Sequence, residues 1–197
     1  MGLDVIACPL FRIEPIEWIA PDPVQYDGLL LTSANALRQA GPEIEAMRAL
    51  PVYAVGAATA EAAEQAGLRV AVVGRRDIGE LLGALPEPLK LLHLAGEHRR
   101  EVDSIHSIDR ITVYRSAVIH DPGLPGLDDL VVAVHSPRAG ARLAELANER
   151  GATIIAAISP AAAQACGEGW QAVAVADAPD DSSLLALAAS LCHTLAE

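Results

Sequence analysis

Residues 27–36 read DGLLLTSANA, an acidic entry and an unbroken leucine run, then a Thr-Ser pair and an alanine-rich stretch. A short apolar run with no polar alternation is how a strand covered on both sheet faces reads, and a hydroxyl just after it is placed to cap a following helix. The pattern comes back further along the chain. Setting residue n against residue n+103 without gaps brings DLVVAVHSPRA (129–139) under this stretch, with Ser33 over Ser136. AVGAATAEA (54–62) then falls on AISPAAAQA (157–165), LRVAVV (68–73) on WQAVAVA (170–176), and Leu81-Leu82 on Leu184-Leu185. Strand ends, turns and helix starts coincide, which points to a duplicated βαβαβα unit.

Working outward, strands are expected near 3–9, 27–32, 51–55, 69–73, 89–95, 111–118, 130–135, 152–158 and 171–176. Helices are expected near 35–49, 58–66, 78–85, 138–149, 160–168 and 182–195. Strand and helix in alternation predict an α/β fold of two similar domains with mostly parallel sheets and flanking helices. Two extended segments, LFRIEPIEW (10–18) and ITVYRSAVI (111–119), bracket the first copy of the repeat. They predict a two-stranded β linker, 11–23 with 111–119. It joins an inserted domain, 24–110, to a discontinuous one made of 1–10 and 120–197, and such a linker permits opening and closing.

Composition narrows the function classes. A formal net charge of −12 argues against nucleic acid or an anionic membrane as partner. No apolar run approaches the roughly 20 residues of a membrane span, and MGLDVIACPLF lacks the basic start of a signal peptide. Three cysteines, Cys8, Cys166 and Cys192, lack metal-type spacing and read as reduced thiols of a cytoplasmic protein. No histidine pair has ligand spacing, so no metal is expected. His135 stands at a strand end, and His93 reads as a satisfied core histidine. His98, His106, His120 and His193 read as loop or surface residues. A dinucleotide enzyme is disfavoured, because no G-x-G-x-x-G follows a strand.

The chemistry-bearing positions are turns. Thr32-Ser33-Ala34-Asn35, Gly56-Ala57-Ala58-Thr59, Ser136-Pro137-Arg138 and Ser159-Pro160-Ala161 each follow a strand and open a helix. Such turns offer backbone N–H groups and the positive end of a helix dipole to an anion at the carboxyl ends of a parallel sheet. Ordinary helix capping, for which Ser33 and Ser136 are natural N-caps, is the better account of any one turn taken alone. Four such turns facing one cleft shift the balance towards anion binding. Backbone donors bind an anion without net positive charge, which suits so acidic a chain. Arg138, and Arg99 or Arg100 after the AGE turn at 95–97, would add local charge.

PLFRIEP, DGLLLTSANALR, VGAATAEAA followed by Gly67, the tyrosine of ITVYRS, HSPRAGARL and ISPAAAQA occur in this order over nearly the whole chain. Together they resemble the uroporphyrinogen-III synthase family. The resemblance implies two α/β domains joined by a β-ladder, a site in the cleft between them, and a reaction without cofactor. In that reaction linear hydroxymethylbilane loses water and closes to uroporphyrinogen III with its last pyrrole ring inverted. The expected partner is therefore this linear tetrapyrrole polycarboxylate, with the protein a monomer. The family's linker tyrosine matches Tyr114, as proton donor or as a linker residue that merely satisfies its hydroxyl. A threonine of the inserted domain's second turn matches Thr59, which the resemblance implies as a second catalytic residue. Substrate contacts are expected from Thr32, Ser33, Asn35, Gly56, Ala57, Ala58, Gly96, Ser136, Pro137, Arg138, Ser159, Pro160 and Ala161.

Two departures stand out. Ala161 and Ala162 occupy positions where many members carry threonines, which leaves that turn its backbone and Ser159. The family's opening strand, Arg-Pro turn and helix are missing before MGLDVIACPL, so a strand at 3–9 would lack its central neighbour and sheet edges would be exposed. The alternatives to the synthase are a two-lobed polycarboxylate-binding module and an inactive member without the first βα unit.

Overall fold

A computed structural model describes residues 4–98 and 103–195. By its internal contacts the chain divides into two units, 11–118 and 1–10 with 119–197.

The unit 11–118 is built on a six-stranded sheet of β1 (Phe11–Pro15), β2 (Gly28–Leu31), β3 (Val52–Val55), β4 (Val70–Gly74), β5 (Lys90–Gly96) and β6 (Ser107–Val118). Its order is β1-β6-β5-β2-β3-β4. All neighbours run parallel except β1, which is antiparallel to the last part of β6. The leucines of β2 are fully buried, as are Leu91, Leu92 and Leu94 of β5. That is the burial expected of central strands with both faces covered. Leu29, Leu31, Leu92 and Leu94 pack under α1 (Ala34–Gln39) and α2 (Ala57–Gln65), and Leu30 and Leu91 under α3 (Ile78–Gly83).

The other unit carries the parallel sheet β7 (Val131–Val134), β8 (Ile154–Ala157) and β9 (Ala172–Val175), in that order. Its helices are α4 (Pro137–Leu146), α5 (Pro160–Ala165) and α6 (Asp181–Leu195). The repeat read from the sequence is physical: β2 begins at 28 and β7 at 131, α1 at 34 and α4 at 137, α2 at 57 and α5 at 160, α3 at 78 and α6 at 181. At Gly140 a Cβ would fall 2.8 Å from Ala162 O and 2.9 Å from Cys166 Sγ, so α4 and α5 meet there backbone to backbone.

Three expectations are corrected. The helix expected over 35–49 stops at Gln39, and a 3-10 turn (Gly41–Met47) follows, because Gly41 has φ +69° and Pro42 has no N–H to continue the ladder. The strand expected near 111 begins at Ser107 and runs continuously to Val118. Residues 4–9 form no strand, although VIAC is strand-like in composition. A strand exists only in a ladder. Here Val5 and Ile6 stay exposed, and the segment is held instead by Cys8 Sγ on Pro122 O and by Ile119 N–H on Leu10 O.

Candidate active site

β2 and β5 are adjacent and parallel, so their carboxyl ends deliver Thr32 and Gly96 to the same edge of the sheet. β6 delivers Tyr114 there through an irregularity in its ladder with β5. Leu94 pairs with Ile111 and Ala95 with Thr112, but Gly96 pairs with Tyr114, leaving Val113 as an extra residue. Such a bulge resets the side-chain alternation. Val113 goes fully into the core and Tyr114 comes opposite Gly96. The missing side chain matters at Gly96, where a Cβ would lie 2.6 Å from Tyr114 Cζ and 2.8 Å from its hydroxyl oxygen. The backbone at Tyr114 is pinned further, since its carbonyl accepts from Glu97 N–H at 3.0 Å.

Thr32, Ser33, His93, Gly96 and Tyr114 line one cavity of about 260 Å³, together with Ile78 and His98. His93 is 3% exposed, and its Nε2 lies 3.1 Å from Thr32 Oγ1. A larger cavity, about 530 Å³, is lined by Leu82, Leu85, Asp103, Ser104 and Ile105 with two glycines, and it holds no residue predicted from the sequence. The smaller one combines a phenol, two hydroxyls and two imidazoles, and the chemistry points there despite its size.

The four turns separate. Ser33 Oγ accepts from Asn35 N–H at 3.2 Å, Ser136 Oγ from Ala139 N–H at 3.1 Å and Ser159 Oγ from Ala162 N–H at 3.3 Å. At these three the serine caps its own helix and takes up one backbone donor. Asn35 Oδ1 accepts from Arg38. The α2 turn differs: Gly56 supplies no side-chain cap, and Ala57 and Ala58 are exposed. Thr59, in contrast, is 5% exposed and does not line the cavity with Tyr114. In the other unit Pro137, Pro160 and Ala161 are exposed and Arg138 is half-buried. Arg99 and Arg100 lie outside the described residues.

Sequence reasoning set His93 and His98 aside, yet both line the cavity. A histidine within a buried parallel strand, three residues before its end at Gly96, was the available signal for His93. His106, expected in a loop or at the surface, lies in the loop before β6 but is buried, with Nδ1 accepting from Leu89 N–H and Nε2 3.0 Å from Leu82 O. Polar contacts away from the cavity are structural. The Arg12 and Arg115 guanidiniums hold the Glu14 carboxyl below its ordinary range, and burial raises the Cys166 thiol. Among the described residues no group of three His, Cys, Asp or Glu side chains is arranged to hold a metal ion, and no helix is long and apolar enough to cross a membrane.

The family model described as "Uroporphyrinogen-III synthase HemD" matches residues 1–186. The chain belongs to the uroporphyrinogen-III synthase family. Among solved structures it is similar to uroporphyrinogen-III synthetase from Helicobacter pylori 26695, with TM-score 0.71 and 20% identity, covering 92% of this chain and 91% of that one. A mutant uroporphyrinogen III synthase from the extremely thermophilic bacterium Thermus thermophilus matches at TM-score 0.48 and 18% identity, over 93% of this chain and 88% of that one. Comparison with curated protein sequences gives no match. At 20% identity the Helicobacter pylori likeness is one of fold, an α/β chain with mostly parallel sheets. Family membership makes this protein a cyclising lyase of tetrapyrrole biosynthesis, acting on the small-molecule substrate hydroxymethylbilane to form uroporphyrinogen III.

Proposed function

We propose that cyclisation of hydroxymethylbilane is carried out at the Tyr114 cavity of unit 11–118, with Tyr114 as proton donor to the departing hydroxyl. The observation that carries this reading is the phenol laid over bare Gly96, in a cavity shared with Thr32 and Ser33. The hydroxymethyl C–O bond on an electron-rich pyrrole breaks as Tyr114 gives its proton, water leaves, and an electrophilic azafulvenium cation remains beside the phenolate. The substituted α-carbon of the last ring attacks it, giving a spiro intermediate. The bond from that carbon to its original methylene bridge then breaks, and the ring's free α-carbon bonds to the released methylene, which inverts the ring. The proton lost when the ring system regains aromaticity returns to the phenolate. Unassisted closure yields the uninverted isomer, so the protein's main task is to hold the chain in the right fold, with general acid help at one oxygen.

The substrate's acetate and propionate arms need donors. The exposed start of α2, at Gly56, Ala57 and Ala58, supplies uncapped N–H groups to one such arm. Thr59, buried behind that turn, acts on the substrate through the turn's shape. Asn35, with Ser33, shapes the α1 turn. Ser136, Pro137 and Arg138, and Ser159, Pro160 and Ala161, are proposed as carboxylate-binding positions of the other unit. The three cysteines are free, which suits a cytoplasmic setting, and a net charge of −12 favours a monomer by self-repulsion.

The deciding experiment compares wild type with Tyr114→Phe on freshly generated hydroxymethylbilane, reading the isomer ratio after oxidation to porphyrins. Wild type should give isomer III. The variant should turn over about a hundredfold more slowly, with folding unchanged. Unchanged turnover would remove Tyr114 from the mechanism, and isomer I alone from wild type would favour a binding module.

A further inference from the structure

His93 sits inside the central strand β5, where losing hydration is offset only by hydrogen bonds. The β2–β5 ladder sets Leu30 beside His93, and Thr32, two residues on from Leu30, shares that face of the sheet. The His93 Nε2 to Thr32 Oγ1 contact of 3.1 Å therefore joins a residue inside β5 to the one that follows the end of β2. A threonine hydroxyl has one donor direction and two acceptor directions, and left alone it rotates among them. A carboxylate accepts only. To hold one, Thr32 must keep its hydrogen turned outward, and a group donating to its oxygen fixes it there in advance.

We propose that His93 is a positioning residue: its Nε2–H donates to Thr32 Oγ1 and turns the Thr32 hydroxyl hydrogen into the cavity, where it holds a carboxylate arm of the linear tetrapyrrole beside Tyr114. This rests on the proposed use of the Tyr114 cavity and adds to it the means by which one pyrrole is oriented next to the acid. A hydroxyl donor oriented within the fold needs no added positive charge, which suits a chain of net charge −12, whose long-range field opposes a polyanion. The Tyr114 hydroxyl is committed to the departing oxygen, so the carboxylate falls to Thr32.

The test is a double-mutant cycle of Thr32→Val and His93→Leu, with His93→Gln as the conservative variant that still donates from a similar position. KM, kcat and isomer ratio are measured, with near-UV circular dichroism as the folding check. Thr32→Val and His93→Leu should each raise KM about tenfold, the order expected for one hydrogen bond to a charged group. kcat should change less than about threefold, and isomer I should increase. The double variant should be no worse than either single one, and His93→Gln should recover most of the loss. Losses that multiply in the double variant, or a kcat loss at unchanged KM, would overturn the proposal.

If His93→Leu fails to fold, Thr32→Val and the imidazole ¹⁵N resonances of wild type with bound uroporphyrin I decide. An Nδ1–H tautomer would overturn the proposal, and an Nε2–H tautomer with weakened binding to Thr32→Val would sustain it. If wild type forms no isomer III, the reaction at this cavity fails on its own. The pair is then read from uroporphyrin I affinity, where non-additive weakening supports the proposal and equal affinities overturn it.

Discussion

At the residue scale, Tyr114 shows how little of a side chain's role resides in its own identity. It is one residue past the bulged Val113, and in a ladder without the irregularity Val113 would pair with Gly96. The glycine opposite provides the space, so Gly96→Ala should push the phenol aside. We expect kcat to fall about tenfold or more, as displacements of an ångström commonly cause, with far-UV circular dichroism unchanged. Wild-type kcat in that variant would show that Tyr114 works from another position. Thr32, Ser33, Gly96 and Tyr114 were legible as candidates because their residue types and turn positions carry the signal. His93 was not, since its partner Thr32 is 61 positions away in sequence and only strand pairing brings them together.

At the element scale, helix starts are a source of stability. Asp77 caps α3 by accepting from Glu80 N–H, while Glu80 Oε2 accepts from Arg76 N–H at 2.9 Å and Arg75 N–H at 2.8 Å. Those backbone donors, Arg76 first, hold the Glu80 carboxyl below its ordinary value of 4.5. A carboxyl with a depressed folded pKa stabilises the protein at pH above its unfolded value, and the contribution is lost as pH falls through the folded one. Glu80→Gln should therefore lower the melting temperature near neutral pH and converge on wild type in acid below 4.5. A gap that persists in acid would mean the charge is irrelevant. The α4–α5 contact makes a separate prediction. Gly140→Ala forces a methyl onto Ala162 O, and overpacking of this kind costs about 1–3 kcal/mol. Chemical denaturation should find that loss, and an unchanged midpoint would show that the helices separate freely.

At the scale of the whole molecule, charge is the dominant fact. With −12 net charges the chain repels a polycarboxylate at a distance, whatever its local donors do on contact. Raising ionic strength from about 0.01 M to about 0.15 M shortens the screening length from roughly 30 Å to roughly 8 Å. kcat/KM should accordingly rise with salt over that range. A fall would mean that local positive charge governs the encounter instead.

The sequence by itself determined the alternation of strands and helices, the repeat at a spacing near 103 and the family, because buried parallel strands, capping serines and turn residues are local signals. Helix α1 ended early for a reason also local, Gly41-Pro42, which alternation alone did not weigh. Only the tertiary structure decided that residues 4–9 form no strand, since a ladder needs a neighbour and composition cannot supply one. It likewise decided that the serines of three turns spend their hydroxyls on their own helices, leaving the α2 start uncapped. The cavity of Thr32, His93, Gly96 and Tyr114 exists because three strands end at one edge and a single extra residue re-aims the tyrosine. Register is a property of paired strands, and no single stretch of chain contains it.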